Sequence, residues 1–277
     1  MVNDAANQGR VLIVAGSDSG GGAGIQADVK AVTALGGYAA TAITALTVQD
    51  TLGVHEVLPI EPRFIARQME VVLSDIGADV IKTGMLHSAE VVAMVAAVYE
   101  RRGRGVPLIV DPVMVAKGGA PLLGSDAAVM VKHRLIPLAA LVTPNLPEAS
   151  VLTGEEVCDE GGMRWAADRL LEMGAGAVLI KGGHLAGETI VDLLRTADGE
   201  ELRLEGTRVA STSTHGTGCT LASAIAAGLA DGLRLTDAVT RARDYVVEAI
   251  RRAPGFGKGH GPLNHAFPAA KYPATDE

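Results

Sequence analysis

Short apolar runs alternate with longer amphipathic or small-residue stretches along almost the whole chain. Runs over residues 11–15, 39–46, 54–60, 79–82, 108–111, 140–143, 177–181 and 189–195 predict strands. Several lack the polar alternation of a half-exposed sheet, as strands buried on both faces do. Between them, spacing or composition predicts helices over 24–35, 62–75, 88–101, 125–135, 146–152, 162–173, 218–231 and 235–252. Such alternation is the pattern of an α/β protein with a mostly parallel sheet and helices on both faces. One stretch breaks it. In ETIVDLLRTADGEELRLEG an Asp198-Gly199 turn separates two β-rich runs, which predicts antiparallel strands added late. No composition shift, Ser-rich linker or repeat divides the chain. The pattern predicts one domain over residues 10–268, a disordered extension over 1–9 and a frayed tail over 269–277.

Composition narrows the function. With 277 residues, 48% of them hydrophobic, the chain can bury a large core. A net charge of -8 argues against nucleic acid or an anionic membrane surface as the main partner. Small anionic ligands stay open, because a few local donors outweigh the mean charge. Cys158 and Cys219 lie far apart outside any CxxC pattern, which suits a reducing compartment and indicates no zinc site. The opening MVNDAANQGR lacks a signal-peptide pattern, and no apolar run approaches the roughly 20 residues of a membrane span. A soluble, cytoplasmic protein is expected.

The candidate chemistry lies in the loops that follow strands, where sheets of this kind bind ligands. Gly16-Ser17-Asp18-Ser19-Gly20-Gly21-Gly22-Ala23-Gly24 brings backbone N–H groups near a ligand or is a plain flexible turn. It fits neither a dinucleotide fingerprint, since no acidic residue ends a second strand where one is needed, nor a Walker loop, since Gly-Lys-Ser/Thr is missing. His215-Gly216-Thr217-Gly218 delivers Cys219 to the start of a small-residue helix. Free N–H groups and a partial positive charge suit that turn to an anion. The same field is expected to lower the thiol pKa; alternatively Cys219 packs like an alanine. Asp111 ends an apolar strand, where a carboxylate meets a metal or phosphate. Asn145 and Glu148 share one face at a helix start and hold Mg²⁺ through water, or they form a capping pair. Lys181 closes another apolar strand, and a phosphate is its natural counter-ion.

Taken together, AGSDSGGGAGIQAD, ITALTVQDTLGV, KTGML, DPVMVAKGGAPLL, TPNLPEA, IKGGH, THGTGCTLASAIAAG and GKGHGPLNH resemble, in order over roughly residues 10–266, the hydroxymethylpyrimidine/phosphomethylpyrimidine kinases of thiamin biosynthesis. The resemblance implies a ribokinase-like three-layer α/β/α sandwich, usually a homodimer, using ATP and Mg²⁺. It implies that Gly216, Thr217 and Gly218 stabilise the transferring phosphoryl group and that Cys219 faces the substrate hydroxyl. Gln49 matches the glutamine that binds the aminopyrimidine; the alternative reading, without the resemblance, is a strand-end residue facing water. Asp28, Gly16, Met85 and Val113 fall where the family lines its pocket. Asp111, Asn145 and Glu148 would organise Mg²⁺, Lys181 would meet the ATP phosphates, and Lys258 would close over the nucleotide or stay solvated. A flap is expected from Ala116-Lys117-Gly118-Gly119. His184, His215, His260 and His265 read as structural. The alternatives are a pyridoxal kinase on the same fold, a binding protein that has lost transfer, and a thiol enzyme in which His215 serves Cys219 as base.

Overall fold

The computed structural model describes residues 8–116, 119, 122–185 and 187–268. The expected frayed tail and most of the expected N-terminal extension lie outside them, as do Lys117 and Gly118 of the expected flap. Among the described residues nine strands form one sheet in the order β3-β2-β1-β4-β5-β6-β7-β8-β9. These are β1 (Arg10–Asp18), β2 (Tyr38–Gln49), β3 (Val54–Pro59), β4 (Val80–Thr83), β5 (Leu108–Val110), β6 (Leu141–Val142), β7 (Ala177–Ile180), β8 (Thr189–Thr196) and β9 (Glu201–Thr207). From β2 to β7 all neighbours run parallel, while β3, β8 and β9 add antiparallel edges. The Asp198-Gly199 turn does join β8 to β9. The order reverses at β1, which pairs with β2 on one side and β4 on the other. Ligand crevices open at such a switch point, beyond the C-terminal strand ends.

Helices cover both faces. One core packs α2 (Pro62–Asp75), α3 (Ala89–Val98), α4 (Ser125–Met130), α5 (Leu146–Thr153) and α6 (Glu160–Glu172) against the sheet, around Leu12, Ile81, Val110 and Ile180. The other uses α1 (Gly24–Ala34), α7 (Thr217–Ala230) and α8 (Leu235–Arg251) around Ile13, Val80, Ile109 and Ile225. Adjacent residues of one strand serve opposite cores, which is why these strands read as continuous apolar runs. The helical patterns predicted over 88–101 and 125–135 end as short π-helical turns at Tyr99–Gly103 and Val131–Leu135. The β-branched and apolar spacing marks the buried face there without fixing the hydrogen-bond register of the last turn.

Alanine and glycine let α7 lie close to the sheet, and nine consecutive residues, Thr220 to Gly228, are buried. After α8 the chain returns across the start of α7. His215 N–H donates to Gly261 O at 3.1 Å, and His265 sits 2.9 Å from Thr220 Oγ1. The Thr220 hydroxyl gives its proton to Gly216 O at 2.8 Å, so it accepts from His265 Nε2–H. Burial, aided by Lys30, lowers the His265 pKa to about 4. The folded protein therefore keeps this ring neutral where the unfolded chain, near 6.5, has protonated it. Its contribution is complete above pH 6.5 and declines as pH falls from 6.5 towards 4. Comparing urea midpoints of wild type and His265→Gln should show the wild type losing up to about 3 kcal/mol more across that window; equal pH slopes would exclude a neutral buried His265.

Candidate active site

Parallel strands lie roughly 5 Å apart, so residues at the ends of neighbouring strands become neighbours in space. Here those ends carry opposite charges. Lys82 lies in β4, Asp111 follows β5, Thr143 follows β6 and Lys181 follows β7. Lys181 Nζ donates to Asp111 Oδ1 at 2.9 Å, and Thr143 Oγ1 donates to the same oxygen at 3.1 Å. Glu148 Oε2 stands 3.8 Å from Lys181 Nζ. A Cβ added at Gly218 would lie 3.1 Å from Lys181 Nζ and 3.9 Å from Asp111 Oδ2, so the first turn of α7 rests on this group. Asp111, Glu148, Lys181 and Gly218 are thus brought together as expected from their loops.

Asn145 takes the capping reading of its two. It caps α5 in a reciprocal box, its Oδ1 accepting from Glu148 N–H at 2.9 Å while Glu148 Oε2 accepts from Asn145 N–H at 2.9 Å. A bridge between Asn145 and Lys181 keeps that cap beside the charged group. Burial, reinforced by Asp111, pushes the Glu148 carboxyl up to about 7 against the pull of Lys181. Asp111 moves the other way, because Lys181 and Lys82 outweigh its burial. Its Oδ2 is buried and has no hydrogen-bond partner among the described residues. An acceptor left in that state wants a cation or a bound water.

Lys82 was not singled out by the sequence. It is completely buried, and its Nζ donates to both oxygens of Asp28 at 2.9 Å. Ser223 of α7 donates to Asp28 Oδ1 at 2.7 Å. Asp28 was expected to line a pocket; instead it is completely buried and saturated by these partners, beneath the site. Burial opposes the Lys82 ammonium, and the charge of Asp28 overcomes it and raises the pKa. The signal in sequence was a lysine inside the apolar run VIKT.

Cys219 overturns one expectation. A helix start should lower its pKa, yet burial pushes it up to about 12, assisted by Asp28 and Asp111 and opposed by Lys82 and the Gly24 N–H. The half-buried side chain is therefore a neutral thiol. Nor is His215 free to serve it as a base, since its Nε2 faces Asp18 Oδ2 at 2.9 Å and the Gln49 amide at 3.2 Å. No side chain caps α7. Gly216 holds a left-handed φ of 79° at its N-cap, and a Cβ there would stand 1.8 Å from Gly22 O. Only glycine meets both demands. Thr217 Oγ1 is turned back onto Thr214 O at 2.8 Å, which fixes the turn.

The remaining candidates are placed separately. Gln49 ends β2 beside His215, half-buried. Gly16 lies against Met85, since a Cβ there would come within 2.5 Å of Met85 Cε. Val113, half-buried, donates its N–H to Asp111 O at 2.9 Å, next to the charged group. Lys258 is exposed, in line with the solvated of its two readings, and its N–H bonds Thr51 Oγ1 at 3.1 Å.

The profile of the phosphomethylpyrimidine kinase family matches residues 18–264. The chain is 44% identical over 263 residues to the hydroxymethylpyrimidine/phosphomethylpyrimidine kinase of Haemophilus influenzae, covering 94% of this chain and 97% of that protein. It is 54% identical over 264 residues to the thiamine biosynthesis bifunctional protein ThiED of Geobacter sulfurreducens, covering 95% of this chain and about half (53%) of that longer protein. Among solved structures it is similar to an ADP complex of Bacillus subtilis pyridoxal kinase, with a TM-score of 0.87, 35% identity and coverage of 94% and 98%. It is also similar to a phosphomethylpyrimidine kinase of Clostridium difficile, with a TM-score of 0.76, 39% identity and coverage of 87% and 99%.

Two outcomes follow from the charges. Lys82→Met alone leaves Asp28 buried and unpaired and should destabilise the fold by about 3–5 kcal/mol, whereas Lys82→Met with Asp28→Leu should recover most of that in a urea titration. The rate of Cys219 alkylation in the free protein should climb with pH to 10 or above without levelling; a plateau near pH 8 would mean an activated thiolate.

Proposed function

The chain belongs to the phosphomethylpyrimidine kinase family, and from that membership we infer that it phosphorylates 4-amino-5-hydroxymethyl-2-methylpyrimidine and then the resulting monophosphate, with ATP as donor, in thiamin biosynthesis. The observation that carries this reading is Lys181, held between Asp111 and the uncapped start of α7 at the sheet's C-terminal edge. A cation beside a helix start that no side chain caps suits a phosphoryl group in transfer, which depends chiefly on alignment and charge stabilisation. Lys181 and the Gly216, Thr217 and Gly218 amides would hold the donor phosphates. Gln49 would bind the aminopyrimidine edge, with Gly16, Met85 and Val113 as walls, and Asp28 would act from below through Lys82. Cys219 would stand beside the acceptor oxygen as a neutral group.

Mg²⁺ fits the residues present. The unpartnered Asp111 Oδ2, with Glu148 and Asn145 close by, offers hard oxygen ligands. Among the described residues no three His, Cys, Asp or Glu side chains converge as a metal cage. The ion would therefore be held largely through water and nucleotide phosphates, where it would neutralise charge on the transferring group.

Residues 10–268 would form a single catalytic domain, and we place it in the cytoplasm as a homodimer. Both cysteines are free, which suits that compartment. Leu46 of β2 and Leu58 of β3 face each other in register, with relative exposures of 41% and 58%, and Val48 at 54% extends the patch, an apolar surface suited to a second subunit. No helix among the described residues is long and apolar enough to cross a membrane.

Pyridoxal phosphorylation is the second reading, favoured by the closeness of the solved pyridoxal kinase. Each ring carries a hydroxymethyl group, and the two differ in offering an exocyclic amine or a phenolic oxygen. Mass spectrometry of products from purified protein, ATP and Mg²⁺ with either ring separates them. The expected result is monophosphate and then diphosphate of the aminopyrimidine, with Cys219→Ala slowing the alcohol step more than the phosphate step. Transfer to pyridoxal alone would replace the substrate, and transfer to neither would leave a binding protein.

A further inference from the structure

Gln49 holds its amide between two fixed groups, 3.2 Å from His215 Nε2 at the amide nitrogen and 3.1 Å from Thr47 Oγ1 at the amide oxygen. The two ends of an amide have nearly the same shape, and only their partners tell them apart. Counting protons decides the matter. Asp18 accepts N–H bonds from Gly20 at 2.8 Å, Gly22 at 3.0 Å and Ala23 at 2.8 Å, and its Oδ2 stands 2.9 Å from His215 Nε2. Burial works against its charge, and His215 with these backbone donors outweighs it, so the pKa lies below the usual value. An ionised carboxylate only accepts, so His215 Nε2 must carry a proton. A protonated ring nitrogen takes no further N–H, so the amide end that faces it is the carbonyl oxygen.

The other end gives the same answer independently. Thr47 Oγ1 donates its one proton to Ser17 O at 2.8 Å. It is left as an acceptor, so the amide end beside it is the NH₂ group. With the two ends exchanged in this way, the one proton on His215 Nε2 faces two acceptors, Asp18 Oδ2 at 2.9 Å and the Gln49 carbonyl at 3.2 Å, and the Gln49 NH₂ donates to Thr47 Oγ1. In the other orientation the one proton of Thr47 would have two acceptors and His215 Nε2 would have to donate and accept at once.

We propose that Asp18, His215 and Thr47 form a positioning relay that locks the Gln49 amide with its carbonyl toward His215 and its nitrogen toward Thr47, and that this lock sets the ring specificity of the site. After these bonds the amide keeps one N–H and one carbonyl lone pair for a ligand. That pair complements an amino-substituted aza-aromatic ring, which offers a ring-nitrogen acceptor beside an amine donor. A phenolic or phenolate oxygen in place of the amine meets the carbonyl with no proton to share, or with one already drawn to its own ring substituents. Asp18 and His215 do not touch the ring in this scheme; they act through Gln49. The specificity half of the inference rests on Gln49 as a substrate contact, and the lock itself does not.

The test has two arms. In full-length protein with ¹⁵N-labelled histidine, long-range ¹H–¹⁵N correlation, with His215 assigned by its loss in His215→Phe, should show Nε2 protonated. A bare Nε2 with the proton on Nδ1 would overturn the lock. In steady-state kinetics, Thr47→Val and His215→Phe should each raise KM for the hydroxymethyl-aminopyrimidine about tenfold with kcat held within about threefold. The kcat/KM preference for that ring over pyridoxal should narrow by a similar factor. If Thr47→Val, which retains the shape of the site, leaves both KM and the preference unchanged, the specificity role is wrong. If the wild type phosphorylates neither ring, the functional reading fails while the spectrum still decides the lock.

Discussion

Opposite charges on neighbouring strand ends are what this site depends on. A lone lysine with no exposure, such as Lys82, would lose several kcal/mol of hydration. It stays charged because α1 supplies Asp28 at 2.9 Å, and Asp28 is in turn tied by Ser223 of α7. Across the same edge Lys181 and Asp111 repeat the arrangement at 2.9 Å. The two pairs fix where α1, α7 and the ends of β4, β5 and β7 lie relative to one another. They also leave little net charge buried, and beside them stand a buried Asp111 Oδ2 with no partner among the described residues and a start of α7 that no side chain caps.

A second constraint joins the phosphate end to the ring end. Gly216 must approach Gly22 O more closely than any side chain permits, and His215 next to it reaches Asp18 in the loop after β1. That loop wraps its N–H groups around Asp18. The turn at the start of α7 and the strand end that carries Gln49 are therefore one bonded unit. A shift at either end must move the other, and in the proposed reaction this would keep transfer and ring recognition aligned as phosphoryl transfer demands.

Much of this was legible in the chain. Eight apolar runs located β1 to β8 and the Asp198-Gly199 turn located β9, and Pro62, Ser88 and Asn145 marked helix starts close to where they fall. Asp111, Glu148 and Lys181 converge because each ends or follows a parallel strand, a relation readable from sequence once the sheet is assumed. What escaped was set by burial and by long-range partners. Cys219 sits at a helix start, where local reasoning lowers its pKa, but Asp28 and Asp111 come from distant segments and reinforce the effect of burial. Asp28 read as a pocket residue because its buried partner Lys82 lies 54 positions away. Lys258 read as closing over a nucleotide or staying solvated, and nothing local reveals that Thr51 captures its backbone.

A neutral thiol at position 219 has a use that a carboxylate would lack. The proposed reaction sequence presents two acceptors, first an alcohol and then a phosphate carrying up to two negative charges. An ionised aspartate about 4 Å from that phosphate would repel it by roughly 4 kcal/mol per charge pair at an effective dielectric of 20. Cys219, with its pKa raised to about 12, adds no such charge at neutral pH. The alcohol loses the help of a strong base. Phosphoryl transfer tolerates that loss because alignment and charge stabilisation carry most of the acceleration. The second acceptor is already an oxyanion and needs no proton removed. In the proposed reaction, burial that keeps Cys219 protonated would thus trade some rate in the first step for access to the second, and a single pocket would serve both.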